Sequence, residues 1–299
     1  MLLPSYKGST LRGGFGHAFR RVVCAIKSSE CTDCLLKEKC VYSYIFETPP
    51  SADTKIMRKY TSAPHPFIIE PPAGQRRGYT PEDELTFGLT LIGRAIDYLP
   101  YFIYAFDELG RIGLGKGKAK FELGDVGCNE ETIYDSKTKT LKTFKPSVLS
   151  LEPDLLNKDT DIPKLITLRF LTPTRIVYNG HLTLDLEFHI LVRNLLRRLS
   201  LLYYFHCNGD PSGWDFSGII KEAEGVKVSG RGLRWHEWER YSARQKTRMN
   251  MGGFVGGITF EGVVGPFMDL IRAGEVLHVG KGTGFGLGRY EVTPTVPLI

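Results

Sequence analysis

The sequence predicts an α+β protein with two tandem ferredoxin-like domains built on antiparallel sheets. Its 299 residues are enough for two domains of about 100–200 residues each. Two glycine-rich stretches, the first glycine segment (residues 111–121) and the second glycine segment (residues 280–290), each lie between a predicted helix and a predicted strand. A helix, a glycine-rich loop and a strand match the end of a β-α-β-β-α-β unit. Because this order occurs once in each half, it indicates a duplicated domain.

The first half begins with an amphipathic helix. Apolar residues at helical spacing predict this helix over residues 9–23. Periodicity predicts four further elements: a strand over 84–93, a helix over 94–109, a strand over 119–126 and a hairpin over 132–142. A ferredoxin-like domain starts with a strand, yet only residues 1–6 precede the first helix. We therefore expect a first strand that is short or missing, or a chain that begins further upstream.

The second half repeats this arrangement. Its predicted elements are a strand over 165–171, a long helix over 184–205, a strand over 252–261, a short helix over 265–273 and a last strand to about residue 292. The polar segment 145–163 carries three prolines and marks the joint between the halves. We therefore predict an N-terminal domain over 1–145, with a four-cysteine insertion at 24–40, and a C-terminal domain over 146–299.

Composition excludes several classes of protein. A hydrophobic fraction of 42% is normal for a packed chain and argues against global disorder. No apolar run is long enough for a membrane span, and the N-terminus is too short and polar for a signal peptide. We expect a cytoplasmic protein.

The net charge of +6 is unevenly distributed. The basic segment (residues 226–250) has seven cations and two acids, a local charge of +5. Its cations are Lys227, Arg231, Arg234, Arg240, Arg244, Lys246 and Arg248. Trp235, Trp238 and Tyr241 lie among them, and cations beside flat rings suit single-stranded nucleic acid. The alternative is a solvated basic hairpin.

Four of the six cysteines lie within 17 residues: Cys24, Cys31, Cys34 and Cys40. This spacing, which includes a Cys-x-x-Cys pair, suits one tetrahedral metal ion with a structural role. Zinc is the default for four thiolates, and an iron–sulfur cluster uses the same ligands. Free thiols are the alternative.

The second glycine segment has two compatible interpretations. Its loop at 280–288 would offer backbone N–H groups to phosphates, beside Lys281 and Arg289, or form a tight turn that packs the last helix on the sheet. The spacing of a P-loop is absent. A dinucleotide site would need a preceding strand and a following helix, which are also absent.

Several motifs occur together in a fixed order. They are KGSTLRGGFGH at 7–17 followed by the cysteine cluster, WERYSARQ at 238–245, GGFVGGITF at 252–260 and GKGTGFGLG at 280–288. In this order they resemble the CRISPR-associated RAMP endoribonucleases, which process precursor CRISPR RNA. The resemblance spans nearly the whole chain. It implies tandem ferredoxin-like (RRM-like) domains and RNA cleavage without a catalytic metal, in which a 2′-hydroxyl attacks the adjacent phosphate. The products would be a 2′,3′-cyclic phosphate and a 5′-hydroxyl.

His17 is the first candidate for proton transfer. It points away from the apolar face of the predicted helix, with Arg20 and Arg21 on its side. The resemblance also implies a catalytic histidine in or just after the first helix. We further expect Lys7 and Arg12 to contact phosphate and Tyr6 to orient the 2′-hydroxyl. His236, in the basic segment, is the alternative histidine.

The predicted RNA-binding residues share a position in or beside these segments. They are Arg12, Arg20, Arg21, Arg231, Arg234, Trp235, Arg240, Arg244, Lys246, Lys281 and Arg289. The resemblance implies CRISPR repeat RNA as a partner and allows other CRISPR-associated proteins as further partners. Two other hypotheses remain: a non-catalytic RAMP-type RNA-binding subunit, and a zinc-binding nucleic-acid module without a CRISPR role.

Overall fold

The computed structural model describes residues 1–27, 30–50, 54, 62–147, 164–242 and 247–294, without the side chains of residues 241, 242 and 294. Its contacts divide the chain into two units. The first comprises residues 1–149 with 205–207, and the second comprises 150–204 with 208–299. The predicted boundary at 145/146 stays a prediction, because residues 148–163 lie outside the described part.

The first unit contains two helices and two small antiparallel sheets. In chain order its elements are α1 (Gly8–Val23), β1 (Phe67–Glu70), β2 (Gly88–Leu91), α2 (Leu99–Ile112), β3 (Val126–Cys128), β4 (Glu131–Asp135) and β5 (Thr140–Leu141). Strand β1 pairs with β2, and β3, β4 and β5 form a meander. Ahead of α1, Leu2 forms one isolated bridge with Gly78.

The core of the first unit is aromatic and is centred on α1. Phe15 is fully buried and stacks on Phe102 and Phe106 of α2, with ring centroids 5.0 and 4.6 Å apart. Phe19, one turn further along α1, is buried against Phe102 at 5.2 Å. Such aromatic pairs add about 0.5–1.5 kcal/mol each beyond their area burial. They hold α1 in place, so its exposed face is fixed as well.

The first half was predicted well for α1 and less well around α2. The hairpin predicted over 132–142 is confirmed by β4 and β5. The helix predicted from residue 94 begins as a short 3₁₀ helix, Gly93–Tyr98, and continues as α2. The strand predicted over 119–126 is wrong. Its apolar residues Phe121 and Leu123 pack partly buried against the core cluster, and its backbone forms a bridge between Leu114 and Ala119 and one hydrogen bond from Phe121 to the Gly110 carbonyl at 3.3 Å.

The second unit has the ferredoxin-like order. Its elements are β6 (Leu165–Thr174), β7 (Val177–Tyr178), β8 (His181–Leu182), α3 (Phe188–His206), α4 (Phe216–Ala223), β9 (Lys227–His236), β10 (Glu239–Ser242), β11 (Thr247–Asn250), β12 (Gly253–Glu261), α5 (Met268–Leu277) and β13 (Tyr290–Pro294). Four strands form one antiparallel sheet in the order β13-β6-β12-β9. With α3 and α5 as crossovers, these strands complete a β-α-β-β-α-β unit. The predicted α+β, tandem ferredoxin-like class is confirmed.

The basic segment supplies β9, β10 and β11. Together with β12 these strands form an antiparallel β-ribbon, called the ribbon below, whose outer part extends beyond the four-stranded sheet. Strand β9 pairs with β12, and beyond their ends β10 pairs with β11. The Met251 N–H donates to the Trp238 carbonyl at 2.7 Å and links the two stretches. No helix in the part of the chain that the structure describes is both long and apolar enough to cross a membrane.

Candidate active site and nucleic-acid interface

His17 lies on the exposed face of α1, opposite the buried phenylalanines. Its backbone is fixed, because the buried face of the same helix is locked into the core. No other residue that the structure describes forms a hydrogen bond with the imidazole. The ring is therefore open to a ligand and free to rotate about its own side chain. An imidazole in this position can exchange protons with a bound substrate near neutral pH.

The glycines around His17 have a packing role that the sequence did not reveal. A Cβ on Gly16 would lie 2.8 Å from the Phe46 ring, and one on Gly14 would lie 3.0 Å from Leu109. Because Gly14 and Gly16 have no Cβ, the side chains of Leu109 and Phe46 can pack directly against α1. These two glycines therefore serve packing in the core and not contact with RNA. Around Gly13 no atom lies within 4 Å of a Cβ, so this position is open.

Two of the predicted phosphate-binding arginines lie against aromatic rings. The Arg12 guanidinium is 5.3 Å from the Phe46 centroid and 5.5 Å from the Phe67 centroid. Arg20 lies 5.8 Å from the Tyr42 centroid and hydrogen-bonds Cys24. Both side chains are half-buried. Such cation–π contacts hold the guanidinium over the ring and limit its reach into solvent.

Arg21 is the exposed arginine of α1 and lies one turn after His17. Its Nε donates to Oε1 of Glu108 on α2 at 3.0 Å. Glu108 is largely buried, with 13% of its side chain exposed, whereas Arg21 is 62% exposed. The carboxylate thus anchors one edge of the guanidinium, and the other edge faces solvent.

Lys7 and Tyr6 lie at the start of α1, away from the surface. Lys7 is 1% exposed, and its ammonium donates to the carbonyls of Ser5 at 3.2 Å and Gly74 at 3.1 Å. Burial lowers the pKa of Lys7 and raises the pKa of Tyr6. A phosphate contact by Lys7 would require the ammonium to leave both carbonyls. Lys7 also lies about 15 Å from His17 along the helix axis, at 1.5 Å per residue.

The four cysteines are not gathered into a candidate metal site among the residues that the structure describes. They are half-buried free thiols: Cys24, Cys31, Cys34 and Cys40. No group of three or more His, Cys, Asp or Glu side chains that could hold a metal ion occurs among the described residues. Burial raises the pKa of Cys31, which favours the thiol over the thiolate that a metal needs. The predictions of structural zinc and of an iron–sulfur cluster are therefore not supported.

The other six histidines differ in their access to solvent. His206 and His278 are 4% and 1% exposed. Burial lowers the pKa of His278 to about 3, so this ring is neutral near neutral pH and its Nδ1–H donates to the Leu287 carbonyl. His65 and His189 are half-buried, and only His181 and His236 are exposed as His17 is. His236 ends β9 and stays the alternative catalytic histidine.

The ribbon presents part of the predicted RNA-binding set. Arg234 is exposed, and Trp235 beside it on β9 is half-exposed. Arg231 is held by two carboxylates, Asp185 at 2.7 Å and Glu187 at 2.8 Å. A phosphate would have to compete with both acids for Arg231. Arg234 is therefore the cation of β9 that is better available to RNA.

The outer part of the ribbon contains Arg240, which packs against the second glycine segment. Its guanidinium lies 4.5 Å from the Phe285 centroid, and Nη2 is 3.3 Å from the Met249 sulfur. Burial lowers its pKa. The predicted contacts of Arg244 and Lys246 lie outside the described residues.

The second glycine segment forms a closed loop. Gly280, Gly282, Gly286 and Gly288 all have positive φ, between 75° and 83°. Four of the loop's N–H groups donate to protein carbonyls: Lys281 to Arg175, Phe285 to Gly282, Gly286 to Thr283 and Gly288 to Pro173. These four are not available to phosphates. The tight-turn interpretation accounts for this geometry, and Lys281 remains exposed at the loop surface.

Two arginines around this loop, half-buried Arg175 and buried Arg198, escaped the sequence analysis. Arg175 donates to the carbonyls of Asn250 and Gly252, at 3.1 and 2.7 Å. Arg198 is 8% exposed and donates to the Leu277 carbonyl at 2.6 Å, where it caps the end of α5. Burial lowers the pKa of Arg198 to about 9. Helical spacing could have revealed Arg198, because it follows Leu195 by three residues and precedes Leu202 by four, which places it on the same face of α3 as these leucines.

Family models match both halves of the chain. A model described as the CRISPR-associated endoribonuclease Cas6 matches residues 168–290, which contain the ribbon, the closed loop, β9, β12, most of β6 and the first residue of β13. Residues 1–146 match a second model, AF_1859_N, described as an N-terminal domain. The resemblance to CRISPR-associated RAMP endoribonucleases is thereby confirmed, and so, at the level of the family, is the endoribonuclease class.

Individual proteins resemble the chain over its length. An uncharacterized protein of Archaeoglobus fulgidus is 25% identical over 296 residues, which cover 97% of this chain and 92% of that protein. Among solved structures, a Cas6 product complex covers 98% of this chain and 95% of its own, with a TM-score of 0.58 and 17% identity. Thermus thermophilus Cas6 covers 97% and 93%, with a TM-score of 0.50 and 17% identity. At such identities these structures support the fold.

Proposed function

We propose that the chain is an endoribonuclease that cleaves precursor CRISPR RNA within its repeats. The observation that carries the proposal is the exposed His17, held on a helix whose other face is locked into an aromatic core. The Cas6 match of the second unit supports RNA from CRISPR repeats as the substrate. A solved Cas6 structure similar to the chain is a product complex, which supports a cleavage reaction.

The chemistry that suits one exposed imidazole is internal transfer at phosphorus. The ribose 2′-oxygen loses its proton to a base, attacks the adjacent phosphorus and displaces the 5′-oxygen, which takes up a proton. The products are a 2′,3′-cyclic phosphate and a 5′-hydroxyl, and no water is consumed. His17 would act at one of these two proton transfers. Since the nucleophile is part of the substrate, the reaction needs no metal-bound hydroxide.

The remaining N-terminal candidates would support this helix. Lys7, whose ammonium binds two carbonyls at the start of α1, would position the helix, and Tyr6 beside it would stay protonated because burial raises its pKa. Arg12 and Arg20 would stiffen the same helix through their ring contacts. Arg21, exposed and one turn from His17, is the arginine of α1 best placed to contact RNA.

The second unit would bind the RNA strand. Arg234 supplies a cation and Trp235 a ring on β9, an arrangement that suits phosphates and stacked bases. Lys281 adds an exposed charge on the closed loop, and Arg289 lies half-buried next to β13. We include Arg231, Arg240, Arg244 and Lys246 in the proposed interface as flanking charges.

The proposal is tested with purified protein and a CRISPR repeat RNA in EDTA. Wild type should cleave at one position and leave a 2′,3′-cyclic phosphate, detected because the product's 3′ end resists ligation until the cyclic phosphate is removed. His17→Ala should lower the single-turnover rate about 10²- to 10⁴-fold with RNA affinity retained. His181→Ala, a change at an exposed histidine of the second unit, is the matched control, and His236→Ala tests the alternative residue. A wild-type protein that binds repeat RNA without cleaving it would overturn the enzymatic proposal.

The second candidate is a non-catalytic RAMP-type RNA-binding subunit. It is favoured by the absence, among the described residues, of a hydrogen-bond partner that orients the His17 ring, since catalytic imidazoles are usually oriented by a second group. In that case His17→Ala would change affinity alone, and wild type would leave the repeat RNA intact.

A further inference from the structure

An open cavity of about 410 Å³ lies in the first unit, and of its lining residues only Arg21 was among the predicted RNA-binding set. It is lined by Arg21, Glu108, Arg111, Ile112, Lys118 and Lys120. We call it the basic cavity, because four cations face one carboxylate. Its walls come from the ends of α1 and α2 and from the first glycine segment.

The carboxylates of α2 hold the two arginines in place without covering them. Glu108 accepts from Nε of Arg21 at 3.0 Å and lies 3.7 Å from Nη1 of Arg111. Asp107 accepts from Nη2 of Arg111 at 2.6 Å. Both arginines remain more than half exposed, at 62% and 56%. Exposed ion pairs of this kind contribute about 0–1 kcal/mol each, so an incoming phosphate can share these guanidiniums.

The first glycine segment raises two lysines over the same cavity. The chain turns back on itself between Leu114 and Ala119, which exchange two backbone hydrogen bonds of 2.9 and 3.0 Å. Gly113 and Lys118 both have positive φ in this turn, at 96° and 46°. Lys120 bonds the Arg111 carbonyl at the end of α2, so its ammonium is held at the rim. Lys118 is exposed.

The basic cavity begins one helical turn from the proposed catalytic group. Arg21 follows His17 by four residues, so the two side chains share a face of α1 and are separated by about 6 Å along its axis. A phosphodiester strand that reaches His17 is thus within reach of the cavity at its neighbouring phosphates. Arginine and lysine donors around an open, mostly polar cavity suit phosphate oxygens.

We propose that the basic cavity is a second phosphate site, which holds a backbone phosphate of the RNA strand next to the one cleaved at His17. The inference rests on the proposed function, because it takes the substrate to be RNA. It adds Arg111, Lys118 and Lys120 to the interface and makes the first unit an RNA-binding surface as well as the carrier of His17. Binding at this site would keep the strand in register with the imidazole.

The test measures affinity separately from cleavage. A repeat RNA with a 2′-deoxyribose at the cleaved nucleotide removes the nucleophile, so its binding is an equilibrium. The dissociation constant is measured over a series of salt concentrations for wild type, for Lys118→Gln with Lys120→Gln, and for Lys116→Gln. Lys116 is the matched control, since it is an exposed lysine of the same turn that does not line the cavity.

We expect a shallower salt dependence in the double variant. The slope of the logarithm of the association constant against the logarithm of the salt concentration should decrease in magnitude by about 0.7 for each phosphate contact removed, or about 1.4 in all. At 0.1 M salt this corresponds to roughly a 25-fold weaker affinity. Lys116→Gln should leave the slope near the wild-type value. Replacing both lysines with arginine should restore it, which separates loss of charge from loss of folding.

Two outcomes would overturn the inference. One is a double variant with the same slope as Lys116→Gln. The other is an arginine pair that fails to restore binding while thermal melting shows a folded protein. Neither depends on cleavage: if wild type bound the RNA without cleaving it, the proposed function would fail and the salt slopes would still decide whether the cavity holds a phosphate.

Discussion

The two glycine segments look alike in sequence and differ in structure. The second (280–290) is a closed loop: four glycines have positive φ, four N–H groups donate to protein carbonyls, and fully buried Tyr290 leads into β13. The first (111–121) makes a single bridge, does not lead into a strand and exposes Lys116, Lys118 and Lys120, of which the last two line a cavity. The same sequence pattern thus forms a closed turn before the last strand in the second unit and an exposed turn that carries lysines in the first.

The difference arises from what each loop packs against. In the second unit, sheet and helix surround the loop, so its glycines are required where a Cβ would meet backbone atoms. In the first unit a Cβ on Gly113 would likewise meet the Lys118 carbonyl, but Gly117 has open space around it, and Lys116 and Lys118 on either side of Gly117 are exposed. A glycine-rich motif therefore indicates a sharp turn, and its surroundings decide whether that turn is structural or binds a ligand.

The largest effect on stability is expected from a glycine-to-alanine substitution in each loop, which adds one methyl group. A Cβ on Gly288 would lie 1.9 Å from the Val279 carbonyl, at φ +75°, whereas one on Gly117 would meet nothing within 4 Å. Gly288→Ala should destabilise the protein by about 4 kcal/mol or more, and Gly117→Ala by less than about 0.5 kcal/mol. Urea denaturation measures both. Equal effects would contradict the distinction between the loops.

A smaller loss of stability is expected when the hydrogen bonds between the Thr172 hydroxyl of β6 and the second loop are removed. The Thr172 hydroxyl donates to the Gly286 carbonyl and accepts from the Arg289 N–H, both at 2.9 Å. Thr172→Val leaves two partly buried groups unsatisfied and should cost about 2 kcal/mol. Thr293→Val, at an exposed position of β13, is the control and should be nearly neutral. The unfolding free energies of the two variants, measured side by side, decide the point.

The closed loop should also make stability depend on pH. His278 keeps its pKa near 3 when folded, because burial disfavours the charged ring, and regains a value near 6.5 when unfolded. The unfolded chain therefore binds the extra proton, so stability is complete above about pH 6.5 and falls as the pH drops below it. The loss at pH 5.5 should be about 1.4 kcal/mol.

His278→Asn isolates this effect. Asparagine replaces the imidazole with a planar amide that does not titrate, and the backbone at this position, with φ 57° and ψ 169°, is strained for both residues. Unfolding free energies at pH 7.5 and 5.5 should differ by about 1.4 kcal/mol less in the variant than in wild type. An equal loss in both proteins would show that His278 is protonated in the folded state.

The smallest effect concerns RNA binding by the closed loop. Lys281 is the exposed lysine of the second glycine segment, so Lys281→Gln should remove at most one phosphate contact and weaken affinity by about fivefold at 0.1 M salt. Filter binding with the 2′-deoxy repeat RNA measures this change. A loss as large as that expected for the Lys118 and Lys120 pair would reverse the roles assigned to the two loops.

Periodic patterns predicted elements well where burial is one-sided. Helix α1 was expected over 9–23 and runs over Gly8–Val23, because Leu11, Phe15 and Phe19 recur at helical spacing. The strand expected over 119–126 failed because alternation shows which residues are buried but not whether a partner strand lies alongside. The cysteine spacing failed in a similar way, since closeness along the chain does not bring thiols together in space.

The sequence by itself determined the α+β class, the duplicated pattern, the resemblance to CRISPR-associated RAMP endoribonucleases and the exposure of His17. These depend on local periodicity and on motifs that are contiguous in the chain. Only the tertiary structure decided that Lys7 is buried, that Arg12 and Arg20 lie on rings, and that the second loop is closed. It alone gathered Arg21, Arg111, Lys118 and Lys120 around one cavity. Burial and cation placement depend on contacts between residues far apart in the chain, which no local pattern encodes.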